Sequence, residues 1–590
     1  MVGLFDPGRI GPVTVPNRIV LPSMTTRTAD FDGHVTDATI AYFRARAEGG
    51  VGLVTIEMSS PEKVGRHRYY ELGMYDDRFL PGLARLAEAI HAAGAKASIQ
   101  LGHGGGHTRR AICGATPIAP SAVPHPVFEI DMETIVPEAM SEARIEQTTQ
   151  AFVAAAARAK AAGIDCVEIH AAHGYLISQF LCPEENVRTD RYGGSLENRA
   201  RFGLDILSRV KQEVEGIGVI FRLGVEDFFP NGLPFEDGAK VARWAAERGA
   251  DALHITAGHY RSRPSAQVMT PPMAEPEGTF LAFAHAVRSK VAVPVIAVGR
   301  LGDPQLAEAA LAQGKADFIA LGRTLLADPD WPRKVREGRA IRRCLSCNTC
   351  VNDMRAGKHI TCLVNPRTGR ETLFAGKRPP GGERIAVVGA GPAGLAYAGL
   401  VAPGNSVVVF DKGAAVGGAF RLAGLAPLFQ DVEASQAAFD SYLRDQERAA
   451  REAGVTFRLN VDAGALVSEL AAFDRVVIAT GAVYRFGLGA ILGPLLRSGA
   501  GRWSGVSWLM SRPAIRQWFY HRARRPSGDQ WTKLLGHGRK LVVIGDAAAP
   551  GKSKAAIASA YAAALLDDPG VDLEAMAIKP MNNRRLHGPA

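Results

Sequence analysis

Long apolar runs are missing from this 590-residue chain. No stretch reaches the ~18 to 20 consecutive apolar residues of a membrane span, which excludes an integral helical membrane protein. The start, MVGLFDPGRIGPV, lacks the basic residues, apolar core and cleavage site of a signal peptide, so the expected compartment is the cytoplasm. Cysteine is scarce, with seven residues, four of them crowded between Cys344 and Cys362. That number cannot build a disulfide framework in a chain of this size. No internal repeat or low-complexity tract stands out. Acidic residues are nearly absent from 485 to 540, where eleven Lys and Arg face Asp529 alone, accounting for the net charge of +10. The remainder is balanced, so a nucleic-acid partner is not expected.

What is present is apolar content of 47% in a chain long enough for about three domains. From residue 15 to about 330, eight short β-rich runs alternate with helical stretches: RIVLPS, GLVTIE, AKASIQL, DCVEIH, VIFRLG, ALHIT, PVIAVG and FIALGR. This pattern fits an α/β fold with an amino-terminal (β/α)8 TIM barrel. The active site of such a barrel is built at the carboxyl ends of the strands. Met24, Thr25, Glu57, Gln100, His170, Arg222, Thr256, Gly299 and Gly322 therefore become site candidates.

Cys344-x2-Cys347-x2-Cys350-x11-Cys362 places three thiols on one loop and returns a fourth. This suits a [4Fe-4S] cluster ahead of a zinc site, which more often pairs two CxxC units. A Pro/Gly/basic linker, AGKRPPGGER, follows. Behind it RIAVVGAGPAGLAYAGL reads as strand, glycine turn and helix, and Asp411 closes the next strand 22 residues after Gly389. Gly389, Gly391 and Gly394 allow close backbone approach to a pyrophosphate at a helix amino terminus, and the carboxylate suits a ribose.

His170, His173 and Tyr175 lie in IHAAHGY at the end of the fourth strand candidate. A lone histidine closing an apolar strand is more often structural. Two imidazoles within four residues at the catalytic face can instead donate to one carbonyl or nitro oxygen.

Barrel, four-cysteine loop and dinucleotide domain in that order resemble the old yellow enzyme superfamily, in its long branch of 2,4-dienoyl-CoA reductase and trimethylamine dehydrogenase. The matching segments include PSMTT at 22 to 26, IQLGH at 99 to 103, EIHAAHGYLISQFL at 168 to 181, RTDRYGGSLENRARF at 188 to 202, AVGR at 297 to 300 and ALGR at 320 to 323. The resemblance implies FMN in the barrel. Met24 and Thr25 would flank the isoalloxazine, with Pro22 and Glu57 in the same binding set. Gln100 and Arg222 would bond its pyrimidine edge, and Gly299, Arg300, Gly322 and Arg323 would lie near the phosphate. It also implies that the histidine pair polarises the acceptor and that Tyr175 gives the proton. Trimethylamine dehydrogenase has tyrosine in place of the first histidine, so His170 weighs toward activated alkenes.

In the second domain Gly389, Gly391, Gly394, Asp411, Gly418, Gly481 and Asp546 match the FAD-binding pattern of that branch, with ADP as the alternative occupant. Dienoyl-CoA reductases insert a nicotinamide-binding domain between Gly481 and Lys540. Here only 58 residues intervene, none forming a glycine fingerprint. Four of the six tryptophans, Trp503, Trp508, Trp518 and Trp531, stand there among the basic residues. The stretch reads either as a solvated basic face or as a dock for an acidic electron-transfer protein or a membrane-surface acceptor.

The expected organisation is a barrel over 1–340, a cluster loop over 341–375, an FAD- or ADP-binding Rossmann-like domain over 384–482 and 540–575, and the basic Trp-rich segment over 483–539. The expected activity is reduction of an activated C=C bond on a small-molecule substrate at FMN, with electrons relayed through the cluster. The alternative is an amine dehydrogenase or N-demethylase that exports electrons. Tyr260 and Arg261, in the loop after the sixth strand, are candidate substrate contacts, and a homo-oligomer stays open.

Overall fold

The computed structural model describes residues 2–126, 134–535, 540–568 and 570–575. It contains two compact units, Met1–Leu325 with Val351–Ile360, and Leu326–Cys350 with Thr361–Lys579.

In the first unit eight parallel strands close into a barrel in chain order. They are β1 (Ile19–Leu21), β2 (Leu53–Ser59), β3 (Lys96–Leu101), β4 (Cys166–Ala171), β5 (Gly218–Gly224), β6 (Ala252–Thr256), β7 (Val295–Ala297) and β8 (Phe318–Ala320). All eight coincide with the apolar runs of the sequence, because strands covered by helices on one face and by the barrel interior on the other need apolar side chains on both. A hairpin of Gly8–Ile10 and Val13–Val15 supplies Ile10, Val13 and Val15 to a buried cluster with Leu53, Cys166, Ala252 and Phe318. Those four stand at the amino ends of their strands, so the hairpin plugs that end of the barrel.

Aspartates fasten the same end at regular intervals. Asp165 accepts the Ala97 N–H at 2.8 Å, Asp251 the Val219 N–H at 2.9 Å and Asp317 the Val295 N–H at 2.9 Å. Each also donates its own N–H to the carbonyl of that same residue, which locks successive strands in register. Each carboxylate precedes a strand by one residue and satisfies a terminal N–H that the ladder leaves over.

The first unit closes at Leu325 rather than near 340. It also takes in Val351–Ile360, which the sequence had placed in the cluster loop. The reason is local hydrogen bonding: Ile360 N–H donates to Thr26 O at 2.8 Å and Arg27 Nε to Met354 O at 3.1 Å.

The second unit carries a five-stranded parallel sheet ordered β11-β10-β9-β12-β13. Its strands are β9 (Arg384–Val388), β10 (Ser406–Phe410), β11 (Thr456–Arg458), β12 (Arg475–Ile478) and β13 (Lys540–Val543). This is the doubly wound arrangement that places a ligand at the switch point after β9. Asp474 repeats the barrel's device here, accepting the Arg384 N–H at 2.7 Å.

The clamps predict a pH signature. In Asp165 burial pushes the carboxyl up, but the Ala97 N–H, His91 and Lys96 outweigh it and hold the pKa below the ordinary 3.8. Its stabilisation is therefore complete above the unfolded value and is lost as pH falls through the lower folded one. Asp165→Asn should cost about 1 to 2 kcal/mol at neutral pH. The gap from wild type in urea denaturation should shrink below pH ~4; a gap constant down to acid would refute the charged clamp.

Candidate active site

Along β4 the side chains alternate, so Glu168 and His170 point to the same face. Parallel pairing sets Glu168 beside Gln100 of β3, and His170 beside Arg222 of β5, itself beside His254 of β6. Gln100 Nε2 donates to Glu168 Oε1 at 2.7 Å, His254 Nδ1 lies 2.6 Å from Oε2, and Arg222 Nη1 is 3.8 Å from Oε1. Burial pushes the Glu168 carboxyl up, yet His254, Arg222 and Gln100 together hold it below its ordinary value. Gln100 and Arg222 are thus held by a carboxylate that sequence reasoning had not singled out. The signal was present: Glu168 and His254 are polar residues inside otherwise apolar strand runs.

The PSMTT segment leaves β1 beside this group. Ser23 Oγ donates to Gln100 Oε1 at 3.1 Å, and the Thr26 N–H donates to Glu57 Oε2 at 2.5 Å. Burial pushes the Glu57 carboxyl up to about 7. A Cβ on Gly322 would lie 3.1 Å from Met24 Sδ and 3.4 Å from Pro22 Cγ, so these three expected flavin contacts share one place; Thr25 is half-buried between Met24 and Thr26. Gly299 takes φ 112° and Arg300 φ 53°. Arg300 donates to the Pro272 and Met273 carbonyls at 3.1 and 3.0 Å, and Arg323 to that of Pro271 at 2.8 Å. Of the four expected phosphate residues, Arg300 and Arg323 therefore meet on the 271–273 loop, while Gly299 packs on Phe280 and Gly322 on Met24 and Pro22.

The fit to FMN rests on polar atoms left over at this end of the barrel. Arg222 Nε, Glu57 Oε1 and His170 Nδ1 are buried without a hydrogen-bond partner among the described residues. Buried orphans of this kind mark a group that the protein alone does not supply.

His173 enters the site in the left-handed region, φ 67°, which brings its ring 5.1 Å from that of His170. His173 Nε2 lies 3.1 Å from Thr256 Oγ1. Burial, then the neighbouring positive groups, hold both imidazoles well below their usual pKa, so both are neutral at pH 7. The Tyr175 ring stands 5.2 Å from that of His170. Its hydroxyl lies 3.2 Å from His67 Nε2 and accepts from Arg68 Nη2 at 3.4 Å. Arg68 Nε also donates to His67 Nε2 at 2.7 Å, which leaves the His67 ring hydrogen on Nδ1, 2.7 Å from Glu71 Oε2. That same oxygen accepts the His67 and Arg68 backbone N–H groups, both at 3.1 Å. His67, Arg68 and Glu71 were missed because nothing in the loop VGRHRYYELG marks them.

Tyr260 joins the site, stacked on His107 at 4.3 Å and 5.7 Å from Tyr175. Arg261 does not: it donates to Glu184 at 2.7 Å and to the Pro124 carbonyl at 3.0 Å.

The chain's sequence matches the pattern of the NADH:flavin oxidoreductase / NADH oxidase family over residues 3–342. The chain belongs to that family. It is 39% identical over 490 residues to an NADH oxidase of Thermoanaerobacter brockii, spanning 81% of this chain and 72% of that protein. It is 32% identical over 504 residues to a cinnamate reductase of Clostridium sporogenes, spanning 81% and 74%. The structure of a 2-naphthoyl-CoA reductase with 2-naphthoyl-CoA superposes with a TM-score of 0.83 at 26% identity, covering 95% of this chain and 98% of that one. This family member is an FMN-dependent oxidoreductase.

In the second unit the glycine turn is a close approach of backbone to backbone. A Cβ on Gly394 would sit 1.9 Å from Gly389 O, and one on Gly389, at φ 109°, 2.4 Å from Ala479 O. Gly418 approaches Gly391, a Cβ there falling 3.2 Å from the Gly391 Cα. Asp411 spans the turn, accepting the Ala390 N–H at 2.6 Å and the Gly413 N–H at 2.7 Å. Gly481 gives its carbonyl to Ser527 Oγ at 2.7 Å. Asp546 is held by Arg524 at 2.6 Å and by the Gly551 N–H at 3.0 Å, an ion pair the sequence did not reveal.

The four cysteines all belong to this unit. Ser346 and Asn348, on either side of Cys347, take φ 51° and 54°, and the Ser346 N–H donates to Cys344 Sγ at 3.3 Å. Burial, then the charges of Cys344 and Cys347, push the Cys362 thiol up to about 12. Thiols that raise one another's cost of ionisation in this way suit a cationic centre that would offset it, which is the donor chemistry of a metal cluster.

Glu168→Ala would leave the Arg222 guanidinium buried without its carboxylate, so stability should fall by about 3 kcal/mol. Flavin retention on gel filtration should fall with it. Unchanged stability and flavin content would show that Glu168 carries no such burden.

Proposed function

We propose that this chain reduces an activated C=C bond of a small-molecule substrate at FMN, with electrons relayed through a [4Fe-4S] cluster on Cys344, Cys347, Cys350 and Cys362 and an FAD, or ADP, in the second unit. When bound, FMN supplies hydride transfer, the cluster single-electron transfer and FAD a second two-electron carrier. The observation that carries the reading is the Tyr175 hydroxyl, joined to His67 and Arg68 and set beside a neutral histidine pair.

His170 and His173, each keeping a ring N–H, would donate to the substrate's carbonyl or nitro oxygen and draw charge from the double bond. Tyr175 would break its O–H bond and give the proton to the carbon that does not receive the hydride. The charge left on its oxygen faces the Arg68 guanidinium. Glu71 keeps the His67 hydrogen on Nδ1 and Arg68 Nε takes up the Nε2 lone pair, so His67 and Arg68 hold each other beside the phenol. Met58, Tyr260, Ala266 and Tyr175 form one apolar cluster, suited to a planar, conjugated substrate.

The second reading, oxidation of an amine or N-methyl substrate with electrons leaving to an acidic electron-transfer protein or a membrane-surface acceptor, is favoured by one feature. Residues 483–539 hold no second glycine fingerprint for a nicotinamide cofactor.

Two outcomes test the reading. Tyr175→Phe should slow reoxidation of the dithionite-reduced enzyme by 2-cyclohexenone about a hundredfold or more while leaving reduction by dithionite unaltered; equal loss in both would assign Tyr175 a structural role. Cys347→Ala should abolish iron and acid-labile sulfide while flavin stays bound, and zinc in the wild-type protein without iron would refute the cluster.

A further inference from the structure

Among the described residues, thirteen large apolar side chains are exposed, and eight of them fall between Phe486 and Leu534. The segment is built from helices Leu488–Arg497, Ser504–Ser511, Pro513–His521 and Gly528–Leu535, with a ribbon pairing Ala482–Tyr484 to Arg524–Pro526. Ser504–Ser511 and Pro513–His521 contain no buried residue, although their sequences, SGVSWLMS and PAIRQWFYH, are half apolar. Phe486 is 74% exposed, Trp503 68% and Trp508 58%. An isolated exposed apolar residue needs no explanation, but several on two successive short helices that contribute nothing to a core do.

The segment is nevertheless anchored. Arg524 binds Asp546 and the Gly551 carbonyl, Arg516 lies 2.6 Å from Asp431, and Arg502 donates to the Gly424 and Ala434 carbonyls at 3.3 and 3.1 Å. These three arginines hold the segment to its unit. Arg485, Arg497, Arg512, Arg522, Arg525 and Lys533 remain exposed among the aromatics. Arg512 lies 4.1 Å over the Trp508 ring.

We propose that this face lies on the headgroup layer of an anionic lipid bilayer. Among the described residues no helix is long and apolar enough to cross a membrane, so contact would be interfacial. Indoles at the headgroup level beside Arg and Lys on the same short helices are the chemistry of interfacial binding. A second copy of the chain fits poorly, because a twofold contact would set this single-sign surface against itself. An acidic protein fits less well than lipid. Protein surfaces present both signs interspersed, and 485 to 540 offers one acid, Asp529, to meet a partner's basic groups. A leaflet of anionic lipid has one sign throughout and asks only for cations and apolar side chains. This choice deepens the membrane-acceptor alternative above, but lipid binding stands or falls without any turnover.

The test is flotation of the full, cofactor-loaded chain with vesicles of phosphatidylcholine alone or of an equimolar mixture with phosphatidylglycerol. The chain should float with the mixed vesicles only, and its tryptophan emission should shift to shorter wavelength as it does. Arg512→Gln, Arg522→Gln and Arg525→Gln together should weaken binding about a hundredfold, at ~1 kcal/mol per basic residue near an anionic surface. Trp503→Ser with Trp508→Ser should abolish the emission shift and weaken binding even at low salt. All five residues are exposed, and unchanged flavin content would show that these variants fold. No flotation with mixed vesicles at low salt overturns the proposal. So does a Trp-dependent dimer that persists in their presence, or flotation of the Trp double variant equal to wild type.

Discussion

A single buried carboxylate, Glu168, organises the barrel's working end. Placing an ionised group inside a barrel is costly unless several donors meet it, and Gln100 and Arg222 from the neighbouring strands β3 and β5, with His254 from β6 beyond, do so. The arrangement fixes the direction of two side chains that the family resemblance assigns to the flavin's pyrimidine edge. It also sets a positive charge below His170 and His173, which with burial keeps both imidazoles neutral. On the proposed reading, cofactor binding and substrate polarisation both depend on that one negative charge.

Much of this was legible in the sequence, and for identifiable reasons. Eight apolar runs announced eight strands because barrel strands are buried on both faces. The Gly389 turn was legible because a Cβ at Gly394 would meet the Gly389 carbonyl at 1.9 Å, leaving little choice of residue. What was hidden depended on long-range approach. Tyr175 meets His67 across 108 residues, and Glu168 meets His254 across 86, distances over which a periodic pattern carries no information. Domain limits were misjudged where a few hydrogen bonds decide: residues 351–360 join the barrel's unit through Thr26 and Arg27, with no change in composition to mark it. Arg524 looked like one more basic side chain in a charged run, whereas it is buried and paired with Asp546.

The two units divide the chemistry. The first holds the side chains expected to touch flavin and, Arg261 apart, substrate; the second holds the cysteines, the dinucleotide turn and the basic aromatic segment. In dienoyl-CoA reductases, which the chain resembles, the position of that segment holds a nicotinamide domain. Here its place is taken by short helices whose apolar side chains face outward.

On the proposed reading the barrel hands two electrons and a proton to an activated double bond. The direct measurement is anaerobic: the dithionite-reduced enzyme is mixed with 2-cyclohexenone while flavin absorbance and product are followed together. The flavin band should return in step with formation of the saturated ketone. A flavin that stays bleached in the presence of the alkene, while a tertiary amine bleaches the oxidised enzyme, would contradict it and establish the opposite direction of electron flow.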